Sequence, residues 1–194
     1  MALPPLAEPQ QLANYTAGAI AVSDPRAKTL LEAASEAARR YCGWHIAPVV
    51  TETLVLDGSG FHIIELPTMR VKTINALIER LPGRNGRTHK WTPDELADLE
   101  WSRLGTLRRR HGIWTDRYQG ITITLSHGYD AAPDVAQTVC QIAAMALASP
   151  TGATHEQAGG VSISYGTTAS GVAGGLTLLD RDRLALDPYV IRRP

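Results

Sequence analysis

Cys42-x-x-His45 is the pair that most invites a chemical reading. A thiolate and an imidazole at this spacing are half of a structural zinc site, which needs four ligands. No second close pair exists; His127 and Cys140 would have to arrive from a strand end and a helix. Cys42 with His45 or His127 also has the residue types of a nucleophile and its base. Cys42 falls, however, in the last turn of a predicted helix, where the dipole disfavours a thiolate. Ser126-His127 lacks the surroundings of a nucleophile elbow. Asp94-Glu95 lie in WTPDEL, which reads as a capped helical turn. Gly171 to Gly175 follows no clear strand and carries no lysine, so it is no phosphate loop. The expectation is a chain with no catalytic, metal or cofactor residues, hence not an enzyme, in which Cys42 faces the core and Trp44 plugs a helix end.

Arg108-Arg109-Arg110-His111 has two readings. Charges on a solvated strand edge block unwanted pairing. The same run could contact DNA or an acidic partner, although three arginines alone bind DNA weakly and lose it with salt. Lys plus Arg equals Asp plus Glu, 19 against 19, so the basic excess of a protein that wraps nucleic acid is missing. A net charge of zero also removes the self-repulsion that keeps copies apart.

The elements that must position these residues follow from periodicity. The length, 194 residues, suits one domain with an insertion and a tail. Pro9 to Tyr15 predicts a short helix. Asp24-Pro25 opens a long one, with Leu30, Leu31, Ala34, Ala37, Ala38 and Tyr41 at helical spacing, and Arg39 and Arg40 on the other side. Gly43 stops it. Val49 to Leu56 is rich in β-branched residues; after the turn Asp57 to Gly60, Phe61 to Leu66 is predicted to return as its hairpin partner. Val71 to Ile78 reads as a strand, Leu81 to Gly86 as a polar loop, and Leu99 to Leu107 as a short hairpin. In GITITLS, Ile121, Ile123 and Leu125 alternate with Thr122, Thr124 and Ser126. Pro133 opens a second long helix with a stripe of Val135, Val139, Ile142 and Ala146. Gly152 to Gly175 is rich in Gly, Ser and Thr, is interrupted by the candidate strand Val161 to Tyr165, and cannot bury much apolar surface alone. Asp180 to Leu186 is a short polar helix before the tail.

The predicted class is α+β: a helical bundle of two long helices plus short ones, with an inserted antiparallel β region and a glycine-rich C-terminal arm. The predicted domains are 1–151, with helices about 24–43 and 133–149 flanking a β insertion about 49–127, and an arm and tail over 152–194. No apolar run reaches the ~18 residues of a membrane span. MALPPLAEPQQ does not read as a signal peptide, and the two cysteines read as buried thiols of a reducing compartment.

Beyond the residue chemistry, DPRAKTLLEAASEAARRYCGWHIAPVVTETLVLDG resembles the N-terminal half of head-to-tail adaptor proteins of long-tailed bacteriophages, of the actinobacteriophage type. ELPTMRVKTINAL, LEWSRLGTLRRRHGIWTDRYQGITITLSHGYD, PDVAQTVCQIAAMALASPTG, GGVSISYG and GGLTLLDRDRLALDPY continue that resemblance in order, from about Asp24 to Tyr189. The charged loop from Leu81 to Leu96 is longer than the family pattern. The resemblance implies a structural virion protein: a ring, twelvefold to match the portal, in the neck between the DNA-filled head and the stopper and tail. Its implied partners are the portal protein, a stopper or tail-completion protein and further copies of itself, with genomic DNA passing through the lumen without specific binding and no membrane. Another neck protein, such as a stopper, is the alternative. The implied location is the virion neck, and the host cytoplasm during assembly. Within this frame Tyr189, Val190, Ile191, Arg192 and Arg193 are candidate contacts to portal or a neighbouring subunit, and Arg108, Arg109 and Arg110 face either the lumen or a neighbour.

Overall fold

The computed structural model describes residues 3–81, 87–148, 155–158, 161–164 and 178–191. The chain runs α1 (Pro9–Tyr15), α2 (Pro25–Cys42), β1 (Val50–Leu56), β2 (Ile63–Glu65), β3 (Val71–Arg80), β4 (Thr88–Lys90), α3 (Pro93–Ala97), β5 (Glu100–Trp101), β6 (Thr106–Arg108), β7 (Ile121–His127), α4 (Pro133–Ala148), β8 (His155–Ala158), β9 (Val161–Ser164), α5 (Asp180–Leu186) and a 3-10 turn, Asp187–Tyr189. The class is α+β. The chain divides into two compact units, 1–44 with 131–194, and 45–130. Most of the glycine-rich segment and the predicted loop 82–86 lie outside the described residues. Among the described residues, no helix is long and apolar enough to cross a membrane.

In the first unit, α2 starts where the Asp24 carboxylate accepts the Arg26 N–H and Pro25 occupies the first turn. It ends at Gly43, whose φ of 81° only glycine adopts without cost. Ala27, Leu31, Ala34, Ala38 and Cys42 form its buried stripe. The stripe packs on α4, where Val135, Val139, Ile142, Ala143 and Ala146 are buried, and α1 and α5 also lean on α4. Arg39 corrects an expectation. Its side chain is buried, because Nη2 donates to the Pro4 carbonyl at 2.6 Å and Nη1 to Glu36 at 3.1 Å. The N-terminal segment has folded over it, and the Leu6 N–H bonded to the Ser35 hydroxyl fixes that cover.

The second unit holds a four-stranded antiparallel sheet in the order β1-β7-β3-β4, and a three-stranded sheet β2-β6-β5. In β7, Ile121, Ile123 and Leu125 are fully buried, each contributing about 1.5–3 kcal/mol. The opposite face pairs hydroxyls across strands, Thr53 with Thr124 at 2.8 Å and Thr51 with Ser126 at 2.6 Å. The hairpin expected between Val49–Leu56 and Phe61–Leu66 does not form: β1 pairs with β7, and β2 with β6. The glycines between β1 and β2 explain the difference. Gly58 N–H donates to the Arg117 carbonyl and Gly60 N–H to the Thr115 carbonyl, so the turn docks on a distant segment instead of folding β2 back on β1. The predicted hairpin over 99–107 is present as β5–β6, and Thr92 and Glu95 form the capping box of α3.

Candidate functional site

Cys42 makes its contacts inside the first unit. Its Sγ–H points at the Leu186 carbonyl, 3.7 Å away, and the side chain is buried. Burial, then the negative charge of Asp187, pushes this thiol up to about 12; burial alone pushes Cys140 to about 11. Neither is a thiolate at neutral pH, and only a thiolate attacks or binds metal. In the folded protein both cysteines are expected to resist a thiol-reactive dye at pH 8 and to react in full in denaturant. Rapid labelling of either in the native state would contradict this burial.

His45 belongs to the second unit, and its surroundings hold a constellation that residue types alone did not suggest. The β1–β7 register sets Val50 against His127 and Glu52 against Leu125, so Glu52 and His127 are diagonal neighbours on one face. His127 Nε2–H donates to Glu52 Oε1 at 2.7 Å. The His45 ring meets the His127 ring edge to face, with centroids 4.3 Å apart. Backbone bonds bring the two segments together, Tyr129 N–H donating to the Ile46 carbonyl and Gly128 N–H to the Arg70 carbonyl. At Gly128, φ is 114° and a Cβ would strike the His45 ring, so only glycine allows this approach. Ile46, a β-branched residue, is held at φ 68°, a strained conformation.

Both histidines are buried, and burial pushes the His127 imidazole below its ordinary value against the opposing pull of Glu52. His45, Glu52 and His127 each offer one donor atom, all within 4.8 Å of one another. Two imidazoles and a carboxylate are a donor set that suits a divalent transition metal. No sequence spacing announces this group, because Glu52 joins it only through the β1–β7 pairing.

The arginine run divides. Arg108 and Arg110 are exposed and lie beside Glu100 and Asp98. Arg109 turns inward. Its Nη1 lies 3.1 Å from Glu79, whose carboxylate is 2% exposed, and its guanidinium sits over the rings of Trp91 and Trp114 at 4.9 and 5.4 Å. Glu79 also accepts the Thr115 N–H at 2.8 Å.

Three of the five candidate tail residues are engaged within their own unit. Trp44 Nε1–H donates to the Tyr189 carbonyl at 2.7 Å, the Tyr189 hydroxyl donates to the Asp134 carboxylate at 2.8 Å, and Ile191 N–H donates to the Cys42 carbonyl at 3.0 Å. Val190 is half-buried beside them, while Arg192 and Arg193 lie outside the described residues.

No protein-family model and no curated protein matches the sequence. Solved structures do match. A chain in the neck of a native gene transfer agent (GTA) particle, computed with C12 symmetry, superposes with a TM-score of 0.60 at 16% identity, covering 100% of this chain and 94% of that one. A chain in the neck of an empty GTA particle, computed with C6 symmetry, gives 0.58 at 16% identity, covering 100% and 91%. A chain in the virion of the native particle gives 0.56 at 14% identity, covering 100% and 91%. The likeness is one of fold. It spans both units of this chain and nearly all of each neighbour.

Proposed function

We propose that this chain is a structural virion protein of a phage-like neck, a head-to-tail adaptor of a long-tailed actinobacteriophage that rings beneath the portal. The observation that carries the proposal is the fold, shared end to end with chains from necks of twelvefold and sixfold symmetry. The order of sequence segments independently resembles the adaptor family.

Surface chemistry fits a ring. Phe61 and Tyr118, in the second unit, are 72% and 85% exposed, and Ile113 also faces solvent. Large apolar side chains left in water on one copy suit burial against the next. Zero net charge suits a conduit that must not hold the DNA passing through it. Protonated, buried thiols suit a protein without catalysis. The proposed partners are the portal above, a stopper or tail-completion protein below, and neighbouring copies; the proposed location is the virion neck, reached from the host cytoplasm.

The experiment is mass and shape in solution, by light scattering and negative-stain microscopy, with and without purified portal. Twelvefold rings, free or seated on portal, are expected. Binding that requires another neck protein first would reassign the chain to the stopper position. A monomer that ignores both would overturn the reading.

A further inference from the structure

The cluster of His45, Glu52 and His127 is unexplained by a role in ring assembly, and its inference does not rest on that role. We infer that these three side chains form a binding site for one divalent transition-metal ion of the zinc type, stapling the first strand of the second unit to the loop before it and to the end of β7.

Four observations carry this. The donor atoms already lie within 4.8 Å of one another, close enough for one ion to draw them together. His45 Nε2–H donates to the Pro48 carbonyl at 3.0 Å. That bond fixes the tautomer and leaves the lone pair on Nδ1, the arrangement in which a backbone carbonyl orients a metal-binding histidine. His127 is 1% exposed, and its Nε2 already lies 2.7 Å from Glu52 Oε1, so an ion that replaces the shared proton meets both donors. Finally, the backbone is shaped around the cluster: Ile46 is held at positive φ and Gly128 leaves room for the His45 ring. Strain of this kind persists where a site needs it.

The donor set selects the ion class. Imidazole favours zinc, cobalt, nickel and copper over calcium or magnesium, which prefer all-oxygen shells. Three protein donors leave one position of a tetrahedron for water, and the half-exposed Glu52 places that position on the solvent side. Glu52 and His127 are 75 positions apart, so an ion here closes a long loop and would stabilise the unit.

The test uses the full chain, stripped with a chelator and titrated with Zn²⁺ and, separately, with Co²⁺ as a spectroscopic probe. One ion per chain is expected, with visible d–d bands for cobalt. Zinc at a hundredfold excess over its Kd should raise Tm by about 5–10 °C. Glu52→Gln keeps shape and a hydrogen-bond acceptor and should fold; it is expected to weaken zinc binding at least about tenfold. His127→Ala should abolish the cobalt spectrum, whereas His62→Ala and His111→Ala should leave it unchanged. A silent cobalt titration with an unmoved Tm would overturn the inference. So would binding that survives Glu52→Gln at full strength, or binding lost in the His62 or His111 variants.

Discussion

Arg109→Ala is expected to destabilise the second unit by about 3–5 kcal/mol. The reason is what stays behind. Glu79 is buried and, among the described residues, ion-pairs with the Arg109 guanidinium and accepts the Thr115 N–H. Removing the guanidinium strands that carboxylate in the interior and strips the cation from the faces of Trp91 and Trp114, which stack with centroids 5.4 Å apart. Arg109→Lys restores the charge but neither the planar fork nor the stacking, so it falls between. Arg108→Ala and Arg110→Ala should each leave stability nearly unchanged, since their side chains are 67% and 56% exposed and pair at the surface. Urea unfolding followed by tryptophan fluorescence separates these cases. A Glu79→Gln background should reduce the Arg109→Ala cost by about 0.5–3 kcal/mol, as coupled neighbours require. Equal losses for all three arginines would show that Arg109 is an ordinary surface charge.

That result also bears on what a reader of the bare sequence can see. The three arginines are consecutive, and composition treats them alike. Only the β2–β6 pairing, which carries the chain on to the Arg109–His62 backbone bond, together with the position of Glu79 on β3, turns one inward and leaves two in water. The helices were legible for local reasons. Asp24-Pro25 and Gly43 are signals that act within one turn, and Thr92 with Glu95 closes a box three residues wide. The strands existed where β-branched alternation put them, yet their pairing did not follow chain order, because partners β1 and β7 lie far apart and nothing local selects them. The histidine cluster fails to show in sequence for the same reason. His45 pointed toward Cys42 by spacing, while its structural companions are Glu52 and His127, assembled by a long-range register.

The tail poses the same problem in reverse, since its residues look free in sequence and are bound in the fold. Leu186→Ala is expected to cost the first unit about 2–5 kcal/mol, because Leu186 is fully buried and its removal opens a cavity beside α2. The effect should spread along the segment. Asp182 is buried, accepting from the Leu179 N–H at 2.9 Å and from Gln141 at 3.1 Å. The Tyr41 hydroxyl donates to Asp187 at 2.6 Å, and Trp44 and Cys42 hold Tyr189 and Ile191 through backbone groups. Loosening this strap exposes Cys42, whose thiol is held near 12 by burial first and by Asp187 second. Each unit by which that value falls raises the thiolate fraction about tenfold at fixed pH. Labelling of Cys42 in Leu186→Ala should therefore quicken at least about tenfold, with the unfolding midpoint lowered in parallel. Tyr189→Phe removes only a partly exposed hydroxyl bond to Asp134 and should leave both readouts nearly unchanged. The pair separates two roles for one segment. If the strap serves folding alone, Tyr189→Phe binds portal as the native chain does. If its outer side also docks on portal, Tyr189→Phe loses affinity while stability and Cys42 labelling stay put. A Leu186→Ala protein as stable and as slow to label as the native chain would mean that the strap does not close over α2.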